Sequence, residues 1–270
     1  MRSMTQFEFV HSNIRFSWYR TGHEDGKPLL ILHGWGSSSA VMKPLAEKLT
    51  GIRTSYLIDL PGFGNSPEPE SAWSVNDYAF AVKRFIEKQF PDSDLKLDLL
   101  VHSFGGRIAI KLLTDSEISG RFGRIIFTGA AGLKPDRKPD YYFRKYTAKL
   151  LKLPFLILPE PLKSRSLNKL RQTGFWKRLG SSDYQQLSGV MRETFVKTVT
   201  EYLDSNVPLI EHEILLIWGE DDTSTPIAQG ERMDQMLKES ALIRLKNAGH
   251  YAFLDQPAQF TSIVKAYLEP

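Results

Sequence analysis

Six short apolar runs recur along this chain, and each of them ends close to a glycine or another turn-forming residue. Runs of this length and composition are typical of β-strands that are buried on both faces of a sheet. They are PLLILHG (28–34), TSYLID (54–59), LKLDLLV (95–101), RIIFTG (124–129), EILLIWG (213–219) and ALIRL (241–245). Two further runs near the start, FEFV and IRFSWY, are separated by three residues and predict an antiparallel pair.

Helical patterns lie between these strands. Apolar residues recur at helical spacing over residues 75–90, and Ser74 with Asp77 supplies a start signal for that helix. A second apolar stripe at helical spacing follows Pro257. Strands that alternate with helices predict a mainly parallel, doubly wound sheet that is covered by helices on both faces.

The composition limits the chemistry that is open to the chain. It has 270 residues, enough to bury a full core, and 41% of them are hydrophobic. Cysteine is absent, which excludes disulfides, thiolate metal sites and cysteine nucleophiles. No apolar run reaches the roughly 18 residues of a membrane span, and the N-terminal residues lack the apolar core of a signal peptide. We therefore expect a cytoplasmic protein without stable membrane insertion.

One interval breaks the alternation of strands and helices. More than 80 residues separate the runs at 124–129 and 213–219, far more than one crossover helix needs. Residues 133–208 carry 15 Lys and Arg against 7 Asp and Glu, whereas the rest of the chain carries 20 against 24. We predict a core formed by residues 1–132 and 209–270, with a helical insertion at 133–208. Its basic surplus fits either a solvated face or attraction of an anionic substrate, and we expect no nucleic-acid partner.

The stretch LLVHSFGGRIA (99–109) places Ser103 between an apolar strand and the start of a helix. A serine on such a sharp turn holds its hydroxyl clear of the sheet, near the positive end of the new helix. Gly105 and Gly106 let the backbone of the turn pass close to its neighbours. A serine becomes a nucleophile only when a base takes its proton and a carboxylate orients that base. A turn with a purely structural role is the alternative interpretation.

Candidates for both partners of Ser103 occur later in the chain. Asp222 lies in IWGEDDTSTP, three residues after Gly219, and His250 lies in LKNAGHYAFLDQP, just after the last predicted strand. All three candidates follow the carboxyl ends of strands, where open parallel sheets place their sites. The neighbouring Asp221 is the alternative acid, but the spacing from Gly219 favours Asp222.

A glycine-flanked loop, LLILHGWGSSS, ends an earlier strand. There the backbone amide of Trp35 is predicted to point at a developing oxyanion, together with the amide of Phe104 directly after the serine. His33 is predicted to order this loop, and His102 to pack beside the serine turn. No His, Asp or Glu spacing suits a metal, and the glycine-rich segments lack the lysine of a phosphate-binding loop. We expect neither a metal nor a cofactor.

Taken together, the segments HGWG, DLPGFGNS, HSFGG, WGEDDTSTP and AGHYAFLDQP resemble the α/β-hydrolase superfamily, and in particular its small cap-bearing serine hydrolases. The resemblance spans nearly the whole chain and implies an α/β-hydrolase fold in which residues 133–208 form a helical cap. It also implies a catalytic triad, because Ser103, Asp222 and His250 occur in the order of that family. Val101 departs from the pattern, since the family usually has glycine there, and we expect a small local adjustment of the turn.

The activity implied by this resemblance is hydrolysis of a small, apolar or aromatic carboxylic ester through an acyl-enzyme. The alternatives are a C–C bond hydrolase, a prolyl aminopeptidase, a menaquinone-pathway lyase similar to SHCHC synthase, and a non-catalytic ligand receptor on the same fold. The lyase is suggested by Arg107, which would contact a carboxylated substrate, although an anchoring role is the other interpretation of this residue. The partner is predicted to be a small molecule, and the protein a monomer or homodimer.

Overall fold

The computed structural model of this chain describes residues 4–136, 162, 187 and 189–269. Within these residues one eight-stranded sheet has the strand order β1-β2-β4-β3-β5-β6-β7-β8. The strands are β1 Thr5–His11, β2 Ile14–Thr21, β3 Pro28–Leu32, β4 Thr54–Ile58, β5 Leu97–His102, β6 Phe122–Thr128, β7 Glu213–Gly219 and β8 Glu239–Leu245. The pairs β1–β2 and β2–β4 are antiparallel, and every neighbouring pair from β4 to β8 is parallel. The predicted sheet and hairpin are confirmed.

Five of the described helices lie between strands in sequence, and two follow β8. They are α1 Ser39–Lys48, α2 Val75–Gln89, α3 Phe104–Leu113, α4 Gly189–Thr200, α5 Ile227–Met236, α6 Ala252–Asp255 and α7 Pro257–Leu268. Helix α2 begins as predicted, because Ser74 and Asp77 form a reciprocal capping box. Helix α1 has Pro44 in its interior and was not predicted. None of the helices in the described ranges is both long and apolar enough to cross a bilayer.

Alternate residues of the central strands face two separate apolar cores. In β3, Leu30 and Leu32 belong to the core under α2 and α3, whereas Leu29 and Ile31 belong to the core under α1 and α7. The same alternation runs through β5, β6 and β7, and these side chains are almost completely buried. Side chains of a strand point alternately to opposite faces of its sheet, so this pattern confirms that helices cover both faces.

Strand β8 differs from the prediction. Its run ALIRL predicts a strand that is buried on both faces, but within β8 only Leu245 is buried. Among the described strands it lies at the edge of the sheet, where β7 is its single neighbour. An edge strand packs against fewer residues than a central one, which leaves most of its side chains partly exposed.

The predicted insertion at 133–208 falls mostly outside the described residues, and its division from the core therefore stays a prediction. Its described ends are joined to each other and to the core. The Leu203 amide donates to the Gly132 carbonyl at 2.9 Å, and the Lys134 amide donates to the Asp204 carboxylate at 3.0 Å. Asp204 also pairs with Arg232 of α5.

Candidate active site

Ser103 occupies a strained position between the last residue of β5 and the first residue of α3. Its φ of 49° and ψ of −110° are rare for a residue with a side chain. The surrounding backbone holds this conformation. The Ser103 carbonyl accepts hydrogen bonds of 2.9 Å from the amides of Gly106 and Ala131, and the Ser103 amide donates to Thr128 at 3.2 Å. The turn therefore presents the serine in one defined orientation.

The glycines after Ser103 allow this turn to lie close to its neighbours. A Cβ atom on Gly105 would lie 2.8 Å from the Leu32 carbonyl oxygen, and one on Gly106 would lie 2.6 Å from the Ala130 Cβ. Val101, in contrast, is fully buried in the core under α2 and α3. The crowding that demands glycine thus lies directly after Ser103, while valine is accommodated two residues before it.

We expect Gly105→Ala to lower the free energy of unfolding by about 1–3 kcal/mol, the usual cost of overpacking a close-packed site. The new methyl group would press on the backbone of β3, which cannot move away as a side-chain tip can. Urea unfolding measures the loss. Gly120→Ala is the matched control, because a Cβ there meets nothing within 4 Å. Equal stability of the two variants would contradict the prediction.

Asp222 and His250 lie in direct contact. The His250 Nδ1 is 2.8 Å from the Asp222 Oδ2, whereas the amides of Ser224 and Thr225 donate to Oδ1 at 2.8 and 2.9 Å. Burial by itself raises the pKa of the Asp222 carboxyl, but its contacts with His250 and the Thr225 donors outweigh burial and lower that pKa. Asp222 is therefore ionised at neutral pH. The neighbouring Asp221 has an exposed side chain, and the His250 Nδ1 contacts Asp222 instead. The backbone amide of Asp221 donates to the Ala248 carbonyl.

The loop that carries His250 is held from both sides. Asp255 ends helix α6, and its carboxylate accepts the Gly249 amide at 2.8 Å. The His102 ring packs on the His250 ring with 4.7 Å between centroids. Because the Thr128 carbonyl can only accept, its 3.1 Å contact places a proton on the His102 Nδ1. Burial, and then the nearby His250, lower the pKa of His102 to about 3, so His102 is neutral.

The loop after β3 is ordered by His33, as predicted. Its buried ring contacts the Gly34 carbonyl through Nδ1 at 2.7 Å and accepts the Leu60 amide through Nε2 at 3.0 Å. Burial lowers the pKa of His33, which keeps the ring neutral. Trp35 follows on this loop, and its ring lies 5.2 Å from that of Phe104. The two residues predicted to supply oxyanion donors are thus neighbours.

These residues surround one cavity of about 400 Å³. Besides Ser103 and His250, the cavity is lined by Gly34, Trp35, Gly36, His102, Phe104, Arg107, Ala131, Phe195, Val199, Ser224, Thr225 and Tyr251. The structure thus brings Ser103, His250, Trp35 and Phe104 to one place, with Asp222 buried behind His250. Most of these lining residues are apolar or neutral, which suits a hydrocarbon part of an organic molecule.

Arg107 is the exception in this lining. Its side chain is buried, and one guanidinium nitrogen donates to the backbone carbonyl of Glu201. Burial lowers the pKa of Arg107 to about 10, so the residue is still cationic at neutral pH. The Glu201 carboxylate pairs instead with Lys111 at 2.8 Å. Arg107 therefore anchors the chain after α4 and also contributes a positive charge to the cavity.

Helix α4 closes one side of the cavity. Its Phe195 ring lies 5.1 Å from the Trp35 ring, and its Thr194 hydroxyl accepts the Trp73 amide at 3.1 Å. Met191 packs on Gly62, where a Cβ atom would lie 2.4 Å from the Met191 sulfur. This described part of the predicted insertion is therefore docked on the core beside the candidate site.

Sequence reasoning missed two residues that order this site, Thr225 and Asp255. Thr225 lies within the DDTSTP segment, but nothing in that segment distinguishes its hydroxyl from those of Thr223 and Ser224. Asp255 ends α6 and holds the His250 loop through the Gly249 amide, six residues away in sequence. Over the described ranges, no group of three or more His, Asp or Glu side chains could hold a metal ion.

Comparison with known proteins agrees with this architecture. A family model described as alpha/beta hydrolase fold matches residues 27–257. The pimeloyl-(acyl-carrier protein) methyl ester esterase of Aeromonas salmonicida is 26% identical over 267 residues, covering 90% of this chain and 96% of the relative. This relative is therefore similar along almost its whole length.

Two solved structures show the same fold. A bacterial membrane phospholipase A has a TM-score of 0.73 at 23% identity, covering 98% of this chain and 86% of that one. The 2-hydroxy-6-oxo-6-phenylhexa-2,4-dienoate hydrolase of Rhodococcus sp. strain RHA1 has a TM-score of 0.72 at 18% identity, covering 99% of each chain. At these identities the likeness extends to the fold and not to the substrate.

Proposed function

Since this chain belongs to the alpha/beta hydrolase fold family, we propose that it is a serine hydrolase that cleaves a small carboxylic ester. The observation that carries the proposal is the 2.8 Å contact between His250 and an ionised Asp222, at a cavity that Ser103 also lines. An oriented imidazole beside a serine on a strained strand-to-helix turn is the arrangement that activates a hydroxyl group for acyl transfer.

In the proposed acylation step, His250 takes the proton of the Ser103 hydroxyl as its oxygen attacks the ester carbonyl carbon. The charge that develops on the carbonyl oxygen is stabilised by the backbone amides of Trp35 and Phe104. The tetrahedral intermediate then collapses. The bond to the alcohol breaks, the alcohol leaves with the proton held by His250, and the acyl group stays on Ser103.

Deacylation repeats these roles with water as the nucleophile. His250 removes a proton from water, the resulting hydroxide attacks the acyl-enzyme, and the acid leaves while Ser103 regains its proton. Asp222 keeps its negative charge in both steps. It holds the imidazole through Nδ1 and stabilises the imidazolium that forms.

The similarity to a methyl ester esterase supports an ester substrate over a C–C bond or a peptide bond. The apolar surfaces of Trp35, Phe104 and Phe195 support an acyl group with hydrocarbon character. A cytoplasmic location and the choice between monomer and homodimer stay predictions from the sequence.

Labelling with a fluorophosphonate probe tests the proposal, run beside hydrolysis of p-nitrophenyl acetate, butyrate and octanoate. We expect one labelled peptide, containing Ser103, and turnover that falls as the labelled fraction rises. The acyl chain length of the preferred ester then indicates the length of the acyl pocket. Labelling at another residue, or neither labelling nor turnover, would contradict the proposal. Labelling without turnover of any of the three esters would support a serine nucleophile, but would point to a lyase, a receptor or a narrower substrate.

We also propose that Arg107 contacts an anionic group of the substrate, because it places a buried positive charge in the cavity. Two esters test this, methyl heptanoate and the monomethyl ester of heptanedioic acid. We expect Arg107→Gln to raise the KM of the second by about 10- to 100-fold, the worth of a hydrogen bond to a charged group. The KM of the first should change little. Lys111→Gln is the matched control, because Lys111 also holds Glu201, and an equal effect of both variants would indicate anchoring alone.

A further inference from the structure

The Thr225 hydroxyl lies at the junction of three groups around the Asp222–His250 pair. Its Oγ1 is 2.9 Å from the Asp222 Oδ2, 3.3 Å from the His250 Nδ1 and 3.0 Å from the Gly129 carbonyl oxygen. The side chain is buried, and these three protein groups are within hydrogen-bond distance of its hydroxyl.

A count of protons shows where the hydroxyl donates. It has one proton, whereas the Gly129 carbonyl and the ionised Asp222 carboxylate can only accept. Either choice leaves one pair of oxygen atoms without a proton between them: Oγ1 and Oδ2 at 2.9 Å if Gly129 accepts, or Oγ1 and the Gly129 oxygen at 3.0 Å if Asp222 accepts. The first costs more, because the carboxylate oxygen carries negative charge. Donation to Oδ2 gives a charge-assisted hydrogen bond, the stronger kind, and leaves a lone pair of Oγ1 toward the His250 Nδ1. The second arrangement is the favoured one.

With the Thr225 hydroxyl in this arrangement, the carboxylate of Asp222 is held at both oxygens. Oδ1 accepts the amides of Ser224 and Thr225, while Oδ2 accepts the Thr225 hydroxyl and the His250 Nδ1. A carboxylate has about four acceptor sites, so all of them are occupied. Rotation of the carboxylate would break several of these bonds at once.

We propose that Thr225 is a positioning residue, whose hydroxyl fixes the Asp222 carboxylate and the Nδ1 edge of His250 in one mutual geometry. This inference rests on the proposed function, because it assigns Thr225 a part in the action of Asp222 and His250 on Ser103. Thr225 does not touch the reacting atoms. Its effect passes through the orientation and charge distribution of the pair.

The backbone around Thr225 is itself fixed. The indole of the fully buried Trp218 donates to the Thr225 carbonyl at 2.7 Å. Gly129 packs directly on the pair, since a Cβ there would lie 3.2 Å from the His250 Nδ1 and 3.3 Å from the Asp222 Oδ2. The hydroxyl is thus held between the ends of β6 and β7, which limits where it can move.

Few other ionisable groups face the pair. His102 of β5 packs on the His250 ring, but its low pKa keeps it neutral in the range where the assay is run. Tyr251 lies 5.5 Å from the His250 ring. Arg107 of α3 lines the same cavity and stays cationic. A substitution at position 225 should therefore affect the Asp222–His250 pair while the charges of His102 and Arg107 stay the same in the pH range of the assay.

Thr225→Val tests this inference, because valine keeps the shape of threonine and removes the hydroxyl. With p-nitrophenyl butyrate we expect kcat to fall by about 10- to 100-fold, the worth of a hydrogen bond to a charged group, with KM within about twofold. Losing this donor concentrates charge on Oδ2, which favours the protonated imidazole. The acid limb of kcat/KM should therefore move to higher pH. Thr225→Ser retains the hydroxyl and should restore both the rate and the pH profile.

A second readout does not depend on turnover. The ¹H NMR signal of the His250 Nδ1 proton should shift in Thr225→Val and return in Thr225→Ser. An unchanged rate, pH profile and NMR signal in Thr225→Val would overturn the inference, as would equal losses in the Val and Ser variants. Ser103→Ala separates this outcome from failure of the proposed function. Activity that survives in Ser103→Ala removes the triad, whereas an inactive Ser103→Ala with a normal Thr225→Val removes only the role of Thr225.

Discussion

Replacing Ser103 by alanine should reduce the kcat for p-nitrophenyl butyrate by about 10⁴- to 10⁶-fold, the loss seen when a serine nucleophile of this kind is removed. The reason is that Ser103→Ala deletes the atom to which the acyl group is transferred. Fluorophosphonate labelling should disappear in the same variant. Stopped assays at high enzyme concentration measure the residual rate above that of uncatalysed hydrolysis of the ester in water.

Two further variants keep this result interpretable. Ser93→Ala removes an exposed serine that precedes β5, whereas Ser103 follows it, and should leave kcat within about twofold of the wild-type value. Ser103→Gly should be as inactive as Ser103→Ala but melt at a higher temperature, because glycine adopts a φ of 49° without strain. Substantial turnover in either Ser103 variant would remove this residue from the mechanism.

Replacing Asp222 by asparagine is expected to lower kcat by about 10⁴-fold. The shape of the side chain is retained, but an amide cannot stabilise the imidazolium that forms when His250 takes the serine proton. The amide NH₂ can also face the His250 Nδ1, which would favour the wrong tautomer. The rate of fluorophosphonate labelling should fall in parallel, since it reports the activation of Ser103 rather than the fit of an acyl group.

Asp221→Asn is the matched control for this prediction. Asp221 is adjacent in sequence, but its side chain is exposed and lies outside the contacts made by His250. We expect its kcat to stay within about twofold of the wild-type value. If Asp221→Asn were the damaging change and Asp222→Asn were tolerated, the assignment of the acid would be wrong.

Much of the fold was predictable from local patterns. The alternation of apolar runs and helical stripes identified the parallel sheet, and Ser74 with Asp77 correctly marked the start of α2. Such signals depend on periodicity and capping within a few residues. Helix α1 escaped prediction, and its interior Pro44 is unfavourable by local propensity. The edge position of β8 escaped it too, because the order of strands in a sheet is not a local property.

The candidate site was predictable for a different reason. Parallel strands align their carboxyl ends, so residues that directly follow β5, β7 and β8 meet at one edge of the sheet. This rule brings Ser103 and His250 to one cavity with Asp222 behind them. Thr225 was not predictable, because its significance depends on the Gly129 carbonyl, 96 residues away in sequence, and on the separate His250 loop.

The fold family, the succession of strands and helices, and the candidate serine, acid and histidine could all be predicted from the amino-acid sequence. These are properties of short segments and of their order. Three features could be seen only in the folded protein: the crowding at Gly105 rather than at position 101, the burial of Arg107 beside the cavity, and the Asp222 oxygen that faces His250. Each of these depends on distances between atoms from separate segments, and side-chain packing sets those distances only when the whole chain has folded.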